Sequence, residues 1–136
     1  IPATALVDLH RLILNAAPDA HPPLIVTVGG AGSLHLPGQH RFWQSSAFPA
    51  RTLPRGRAHA ELRDHLEAGY AGRHWAYLIP PPAFIPEAPA TGGYRVWRPS
   101  GDESGFICRT IGYTDFALAV ADALGQGWTG TRLVGT

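Results

Sequence analysis

The chain has 136 residues, of which 45% are apolar and only 15% are charged, and its formal net charge is +1 at neutral pH. A chain of this length and composition can bury one sizeable core, which excludes a disordered tail or a solvated coiled coil. The near-zero net charge predicts weak non-specific binding to nucleic acid or to an anionic membrane.

The residue types that are missing remove several classes of protein. All 11 basic residues are arginines, which is typical of a GC-rich bacterial genome, and lysine is absent. There is therefore no Schiff-base lysine, no lysine general base and no Walker-type phosphate loop. Cys108 is the single cysteine, which excludes an internal disulfide and zinc sites built on paired thiolates. We predict a cytoplasmic location, no cofactor and no metal site.

The chain begins with Ile1 and contains no methionine. Neither a secretory signal pattern nor an apolar stretch long enough to cross a bilayer is present. We predict a single domain over residues 1–136, which is compatible with a domain taken out of a longer protein.

In the first half of the chain, one helix precedes three strands, and a loop leads into a second helix. Apolar residues at helical spacing predict the first helix, with Leu9 and Ile13 facing the core and the helix ending at Pro18. The β-branched run before the glycine cluster at residues 29–32 predicts a strand in a hairpin with the next strand. In order, these elements are a helix at residues 4–17, strands at 24–28, 33–36 and 41–48, a loop at 49–56 and a helix at 57–70.

In the second half, three strands precede a third helix. The clearest unit is a hairpin with Asp102 and Glu103 in its solvated turn, because apolar residues alternate on both sides of that turn. The last helix is followed by a tail in which Trp128 is predicted to be exposed and which adds at most a short edge strand. In order, these elements are strands at residues 74–80, 94–98 and 106–111, a helix at 115–124 and the tail at 128–136.

These elements predict an α+β fold in the order α-β-β-β-α-β-β-β-α. Three helices would pack on an antiparallel or mixed sheet of about five to six strands. The cluster Gly29-Gly30-Ala31-Gly32 follows an apolar strand, as a phosphate-binding loop does. An alternating segment follows it where such a loop needs a helix, so we interpret the cluster as a turn.

No complete catalytic signature is present. The 7 histidines show neither an H-E-x-x-H nor an H-x-H pattern. Cys108 falls in a predicted buried strand, where a thiol has little thiolate character. A central group of histidines and arginines could still move protons and stabilise phosphoryl charge. Its members are His40, Arg41, Arg51, Arg55, Arg57 and His59, with Glu61 beside them.

The densest positive stretch lies next to aromatic residues. Arg51, Arg55 and Arg57, with Trp43 and Phe48, form our candidate binding site, because arginines and aromatic rings are enriched at protein interfaces. The same residue types also suit phosphate contact and base stacking. We predict as partner another protein or other domains of the same chain, with nucleic acid less favoured and no membrane.

Two functions remain open from the sequence. The first is a non-catalytic protein-interaction or regulatory domain, favoured by the missing catalytic signature. The alternative is a small His/Arg-dependent hydrolase or nuclease-like toxin domain, favoured by the histidine count. Convergence of at least two of five central histidines with an arginine in one pocket would support the alternative. These histidines are His35, His40, His59, His65 and His74.

Overall fold

The computed structural model describes residues 1–17 and 21–136, and these ranges contain three helices and eight strands. The helices are α1 (Ala5–Ala16), α2 (Leu53–Glu67) and α3 (Tyr113–Gln126). The strands are β1 (Ile25–Val28), β2 (His35–Leu36), β3 (His40–Arg41), β4 (Trp75–Ile79), β5 (Ala83–Ile85), β6 (Arg95–Trp97), β7 (Thr110–Gly112) and β8 (Gly130–Gly135). The α+β class is confirmed, while the predicted helix end at Pro18 lies outside the described residues. Across the described ranges, each helix is too short or too polar to cross a bilayer.

A mixed sheet of four strands forms the centre of the fold, in the order β1-β4-β8-β6. β1, β4 and β8 run parallel to one another, and β6 runs antiparallel to β8. The other strands form two small pairs, β2 with β3 and β5 with β7. The main sheet is therefore mixed, as predicted, and slightly smaller than the predicted five to six strands.

Helices cover both faces of the central sheet. Along β4 the side chains alternate, so that Tyr77 packs with Leu66 of α2 on one face. Leu78 packs with Phe116 of α3 on the other face. Every residue of β4 is buried, which is usual for a strand in the middle of a parallel sheet.

The buried stripe of α1 is not the predicted one. Val7 and His10 are buried, whereas Leu9 and Ile13 are 51% and 44% exposed. Helical spacing identifies apolar stripes, but it does not decide which of two adjacent stripes faces the core. Burial, and then the charge of His65, lower the pKa of His10, which keeps its enclosed imidazole neutral.

The two predicted hairpins do not form. β1 pairs in parallel with β4 rather than with residues 33–36, and β6 pairs with β8 rather than with residues 106–111. Residues 104–106 form a 3-10 turn, and Cys108 after it is exposed rather than buried. Alternating apolar residues identify strands but do not report pairing with strands that are distant in sequence.

The predicted tail is a central strand. β8 lies between β4 and β6, and Leu133 and Val134 are buried on opposite faces of the sheet. Trp128, predicted to be exposed, packs partly buried against the α3 side of the core. The short apolar run in β8 lies among glycines and threonines, which do not indicate a strand. Its burial comes from β4 and β6 on either side, which the local sequence does not show.

Glu103 lies in the core rather than in a solvated turn. Its carboxylate accepts two parallel hydrogen bonds from the buried Arg63 guanidinium, at 2.7 and 2.9 Å. The backbone N–H groups of His35 and Ser100 also donate to it. Burial disfavours the charged carboxylate, but these hydrogen bonds and the charge of Arg63 outweigh that effect and lower the pKa of Glu103. The ion pair ties α2 to the segment that follows β6.

Candidate functional site

A pocket opens where two neighbouring parallel strands end. Residues 29–32 directly follow β1, residues 80–82 directly follow β4, and both segments line the pocket. Because β1 and β4 are parallel, their carboxyl ends meet at the same edge of the sheet. In open α/β sheets this is the edge at which ligands bind.

The first turns of α2 and the segment before it form the other wall. Phe48, Thr52, Arg55, Gly56 and His59 line this side of a cavity of about 430 Å³. That volume is in the range of small-molecule sites, which combine mostly apolar walls with a few polar groups. Arg55 and the N-terminus of α2 both favour a negatively charged group in the pocket.

The glycine cluster allows α2 to approach the sheet closely. A Cβ atom on Gly32 would lie 2.5 Å from the Cα atom of Gly56, and one on Gly30 would lie 2.6 Å from the His59 ring. Backbones can approach this closely only where no side chain separates them. The predicted simple turn at residues 29–32 is therefore a loop, continued by a 3-10 turn at Ala31–Ser33, that packs against a helix.

His59 lies in the pocket wall and is held by Tyr77. The Nδ1 atom of His59 is 3.0 Å from the Tyr77 hydroxyl oxygen. Burial, and then the positive charge of Arg55, lower the pKa of His59 to about 4, so the imidazole is neutral at physiological pH. Burial raises the pKa of Tyr77 to about 12, so its hydroxyl keeps its proton.

The five residues of the predicted arginine and aromatic site separate into two groups. Phe48 and Arg55 line the pocket. The guanidinium of Arg57 instead lies over the Trp43 ring, 5.8 Å from its centroid, outside the pocket lining. Arg51 is exposed on the 3-10 turn Ala50–Thr52. The predicted loop at residues 49–56 thus includes the start of α2, which directs Arg55 and Arg57 to different sides.

The histidines do not converge. Among His35, His40, His59, His65 and His74, only His59 lines the pocket that contains Arg55. Within the described ranges, no three His, Cys, Asp or Glu side chains come close enough together to hold a metal ion. The described residues therefore lack the convergence of two histidines with an arginine that would support the nuclease-like alternative.

Sequence reasoning missed two walls of the pocket, residues 29–32 and residues 80–82. The available signal was that each segment follows a short apolar run and opens with glycine or proline. Recognising the pocket required knowing that β1 and β4 are adjacent and parallel, which the local pattern does not report.

β1 is the outer strand of the sheet, and an apolar groove lies beside it. Within the described residues, its edge facing away from β4 pairs with no other strand. Val28 at its end is 46% exposed and lines the groove with Phe84, Phe116 and Val120. Exposed apolar surface beside an unpaired strand edge is typical of a surface that another element covers.

Parallel strands with helices on both faces of the sheet and a pocket at the carboxyl edge are typical of Rossmann-type folds. Solved structures agree with this class. A proposed NADH-flavin reductase from Streptococcus pneumoniae superposes with a TM-score of 0.78 at 24% identity, covering 98% of this chain and 64% of that protein. A proposed exported protein from Burkholderia pseudomallei gives a TM-score of 0.76 at 23% identity, covering 100% of this chain and 66% of that protein.

Two further proteins have higher sequence identity to this chain. A proposed epimerase from Bacteroides thetaiotaomicron superposes with a TM-score of 0.66 at 26% identity, covering 85% of this chain and 54% of that protein. The Bacillus subtilis protein YwnB, which is uncharacterised, is 29% identical over 121 residues, covering 87% of this chain and 56% of YwnB. No protein-family profile matches the chain. The chain thus spans between about half and two thirds of the length of these relatives.

The comparisons correct the functional prediction. Neither a non-catalytic interaction or regulatory domain nor a nuclease-like toxin agrees with a fold shared with a proposed reductase and a proposed epimerase. The prediction was wrong because it relied on local catalytic motifs. In a Rossmann-type fold the site is assembled from strand ends that are far apart in sequence.

Proposed function

We propose that this chain forms part of a Rossmann-type oxidoreductase that transfers a hydride between a nicotinamide dinucleotide and a small organic substrate. The observation that most directly supports this proposal is the pocket at the carboxyl ends of β1 and β4, because ligands of this fold bind at that edge. The name of the Streptococcus neighbour, a proposed NADH-flavin reductase, supports the same class of reaction.

The described residues suit the reacting end of such a cofactor. A cavity of about 430 Å³ accepts a nicotinamide ring with a small substrate, but not a whole dinucleotide. When bound, the nicotinamide supplies or accepts the hydride. The loop at residues 29–32 and Phe48 would enclose the ring and exclude water, and Arg55 would attract the anionic group of the substrate.

The pyrophosphate of the cofactor needs a further element. In Rossmann-type folds it binds a glycine-rich turn that opens a helix. The glycines at residues 29–32 lead instead into a 3-10 turn. The unpaired edge of β1 supports the proposal that another parallel strand with its helix pairs there and supplies that turn. The predicted partner, another protein or other domains of the same chain, stays a prediction. A partner that pairs with the β1 edge would agree with it.

The proposal is tested by measuring the binding of NADH and NADPH, by fluorescence and calorimetry, to purified protein that includes the strand and helix proposed to pair with β1. Nicotinamide oxidation is then followed with FMN as acceptor. We expect saturable binding of at least one dinucleotide and its oxidation by the flavin. Binding without net oxidation would favour an epimerase over a reductase. If that protein bound neither NADH nor NADPH, the proposal would be contradicted.

Arg55→Gln is expected to weaken binding of the anionic flavin substrate about tenfold or more, because a hydrogen bond to a charged group contributes about 1.5–3 kcal/mol. The matched control is Arg57→Gln, which removes a guanidinium from the same helix but outside the pocket lining. The KM for FMN with each variant is the measurement. Equal changes in both variants would show that Arg55 acts only through the overall charge.

We also propose a cytoplasmic location. Cys108 is exposed and is the single cysteine, which suits a reducing compartment. Because the Burkholderia neighbour is described as exported, cell fractionation with an antibody against the protein is the test. Recovery outside the cytoplasmic membrane would overturn this location.

A further inference from the structure

The tautomer of His59 depends on the hydrogen bonds around the Tyr77 hydroxyl. The Gly30 N–H donates to this hydroxyl at 3.1 Å, and the hydroxyl lies 3.2 Å from the Ser33 Oγ atom. Ser33 Oγ in turn lies 2.6 Å from the Gly30 carbonyl oxygen. The fourth contact is the 3.0 Å approach of His59 Nδ1.

Only one arrangement of the hydrogens satisfies all four contacts. The Gly30 carbonyl can only accept, so the Ser33 hydroxyl hydrogen points to it. Ser33 Oγ must then accept the Tyr77 hydrogen, which leaves the Tyr77 oxygen as an acceptor towards His59. In this arrangement Nδ1 of His59 carries the proton. The His59 carbonyl lies farther from the hydroxyl, at 3.3 Å, and shares the Tyr77 hydrogen at most in part.

The other ring nitrogen, Nε2, consequently carries a free lone pair. Among the described residues it has no hydrogen-bond partner, while the ring itself lines the pocket. Arg55 lies four residues earlier on α2, which is about 6 Å along the helix axis. One face of the helix thus combines a hydrogen-bond acceptor with a positive charge.

We propose that His59 accepts a hydrogen bond through Nε2 from a hydroxyl group of the bound substrate, and that the substrate is a hydroxylated anion whose carboxylate or phosphate lies near Arg55. This inference rests on the proposed function, and it adds the substrate class to it. The ribityl phosphate of FMN belongs to this class, as do small hydroxy acids and polyol phosphates. His59 would select the substrate by its hydroxyl group, and Arg55 by its charge.

The first test measures the tautomer of His59 directly. Long-range proton–nitrogen NMR spectra distinguish a protonated ring nitrogen from one with a lone pair. We expect a protonated Nδ1 and an unprotonated Nε2 at neutral pH. Ser33→Ala removes the acceptor of the Tyr77 hydrogen, which can then point to Nδ1 and shift His59 towards the other tautomer. A protonated Nε2 in the unaltered protein would overturn the inference.

The second test uses three probes, lactate, malate and glycerol 3-phosphate, each paired with its O-methyl ether. We expect at least one free hydroxyl form to shift the Nε2 resonance saturably and to bind about five- to tenfold more tightly than its ether, since one hydrogen bond is lost. His59→Phe should abolish this preference, whereas the control His65→Phe on the same helix should keep it. If no probe moves the Nε2 resonance, or if each ether binds as well as its alcohol, the inference is wrong.

The two proposals can fail separately. Nicotinamide binding and flavin reduction with a protonated Nε2 would overturn only the role of His59. The expected tautomer and hydroxyl preference without any dinucleotide binding would leave a hydroxylated-anion site and overturn only the oxidoreductase proposal.

Discussion

Replacing Arg63 by alanine is expected to destabilise the fold by about 3–5 kcal/mol, because it leaves the buried Glu103 carboxylate without its counter-charge. Arg63 is 1% exposed, and its guanidinium also donates to Glu67 and to the Ser33 carbonyl. A loss of this size is a large share of the stability of a typical domain. Urea denaturation followed by tryptophan fluorescence measures it.

The matched control for this prediction is Arg11→Ala on α1. Arg11 approaches Asp8 at 3.9 Å, and both side chains are 60% exposed, so solvent screens this ion pair. We expect a change within about 0.5 kcal/mol for the control. If the Arg63 variant were as stable as the control, the ion pair would not hold α2 to the segment after β6.

The same ion pair makes stability depend on acid pH. The pKa of Glu103 is lowered in the folded state, so folding favours its charged form. The stabilisation is fully present above the unfolded-state glutamate pKa of about 4.3, and it is lost as the pH falls through the lowered folded-state pKa. Urea midpoints should therefore fall on acidification, and the fall should be smaller in Glu103→Gln. An unchanged pH dependence in that variant would assign the acid sensitivity to other carboxylates.

The three helices and the longest apolar strands could be predicted from local pattern, but the short strands and the pairing partners could not. The runs at residues 24–28 and 74–80 indicated strands because apolar and β-branched residues are concentrated there. Their parallel pairing depends on α2 crossing between them, which no local spacing encodes. β8 shows the same limit, since its central position is set by β4 and β6 on either side.

For the site, the sequence indicated which types of residue take part but not which individual residues face the pocket. Arg55 and Phe48 were identified because one is charged and the other aromatic. Arg57 and Trp43 are residues of the same two kinds, yet they lie outside the pocket lining. Which of the two arginines faces the pocket is decided by its angular position around α2, because residues two apart lie about 200° apart on a helix. The helix itself was predicted to begin too late, because Pro54 and Gly56 were interpreted as loop residues. Proline is well tolerated in the first turn of a helix, and Gly56 serves the close contact with Gly32.

That contact leads to the second large effect, which we expect from Gly32→Ala. The added Cβ atom would meet the Gly56 Cα atom at 2.5 Å, and because this neighbour is backbone, no side-chain rotation can relieve the overlap. The loop at residues 29–32 or α2 must move, at a cost of about 3 kcal/mol, the upper part of the range for overpacking. The same displacement would separate His59 on α2 from Tyr77 on β4.

Two measurements on Gly32→Ala are therefore coupled. The urea midpoint should fall with an unchanged slope, and the His59 ring-nitrogen resonances should change because the hydrogen bond to Tyr77 lengthens. Gly125→Ala is the matched control, since a Cβ atom at this exposed position in α3 meets nothing within 4 Å. It should be neutral or stabilising by up to about 1 kcal/mol, because alanine is the better helix former. A Gly32 variant as stable as the Gly125 variant would mean that loop and helix do not pack at backbone distance, and the pocket between them would lose its rigid wall.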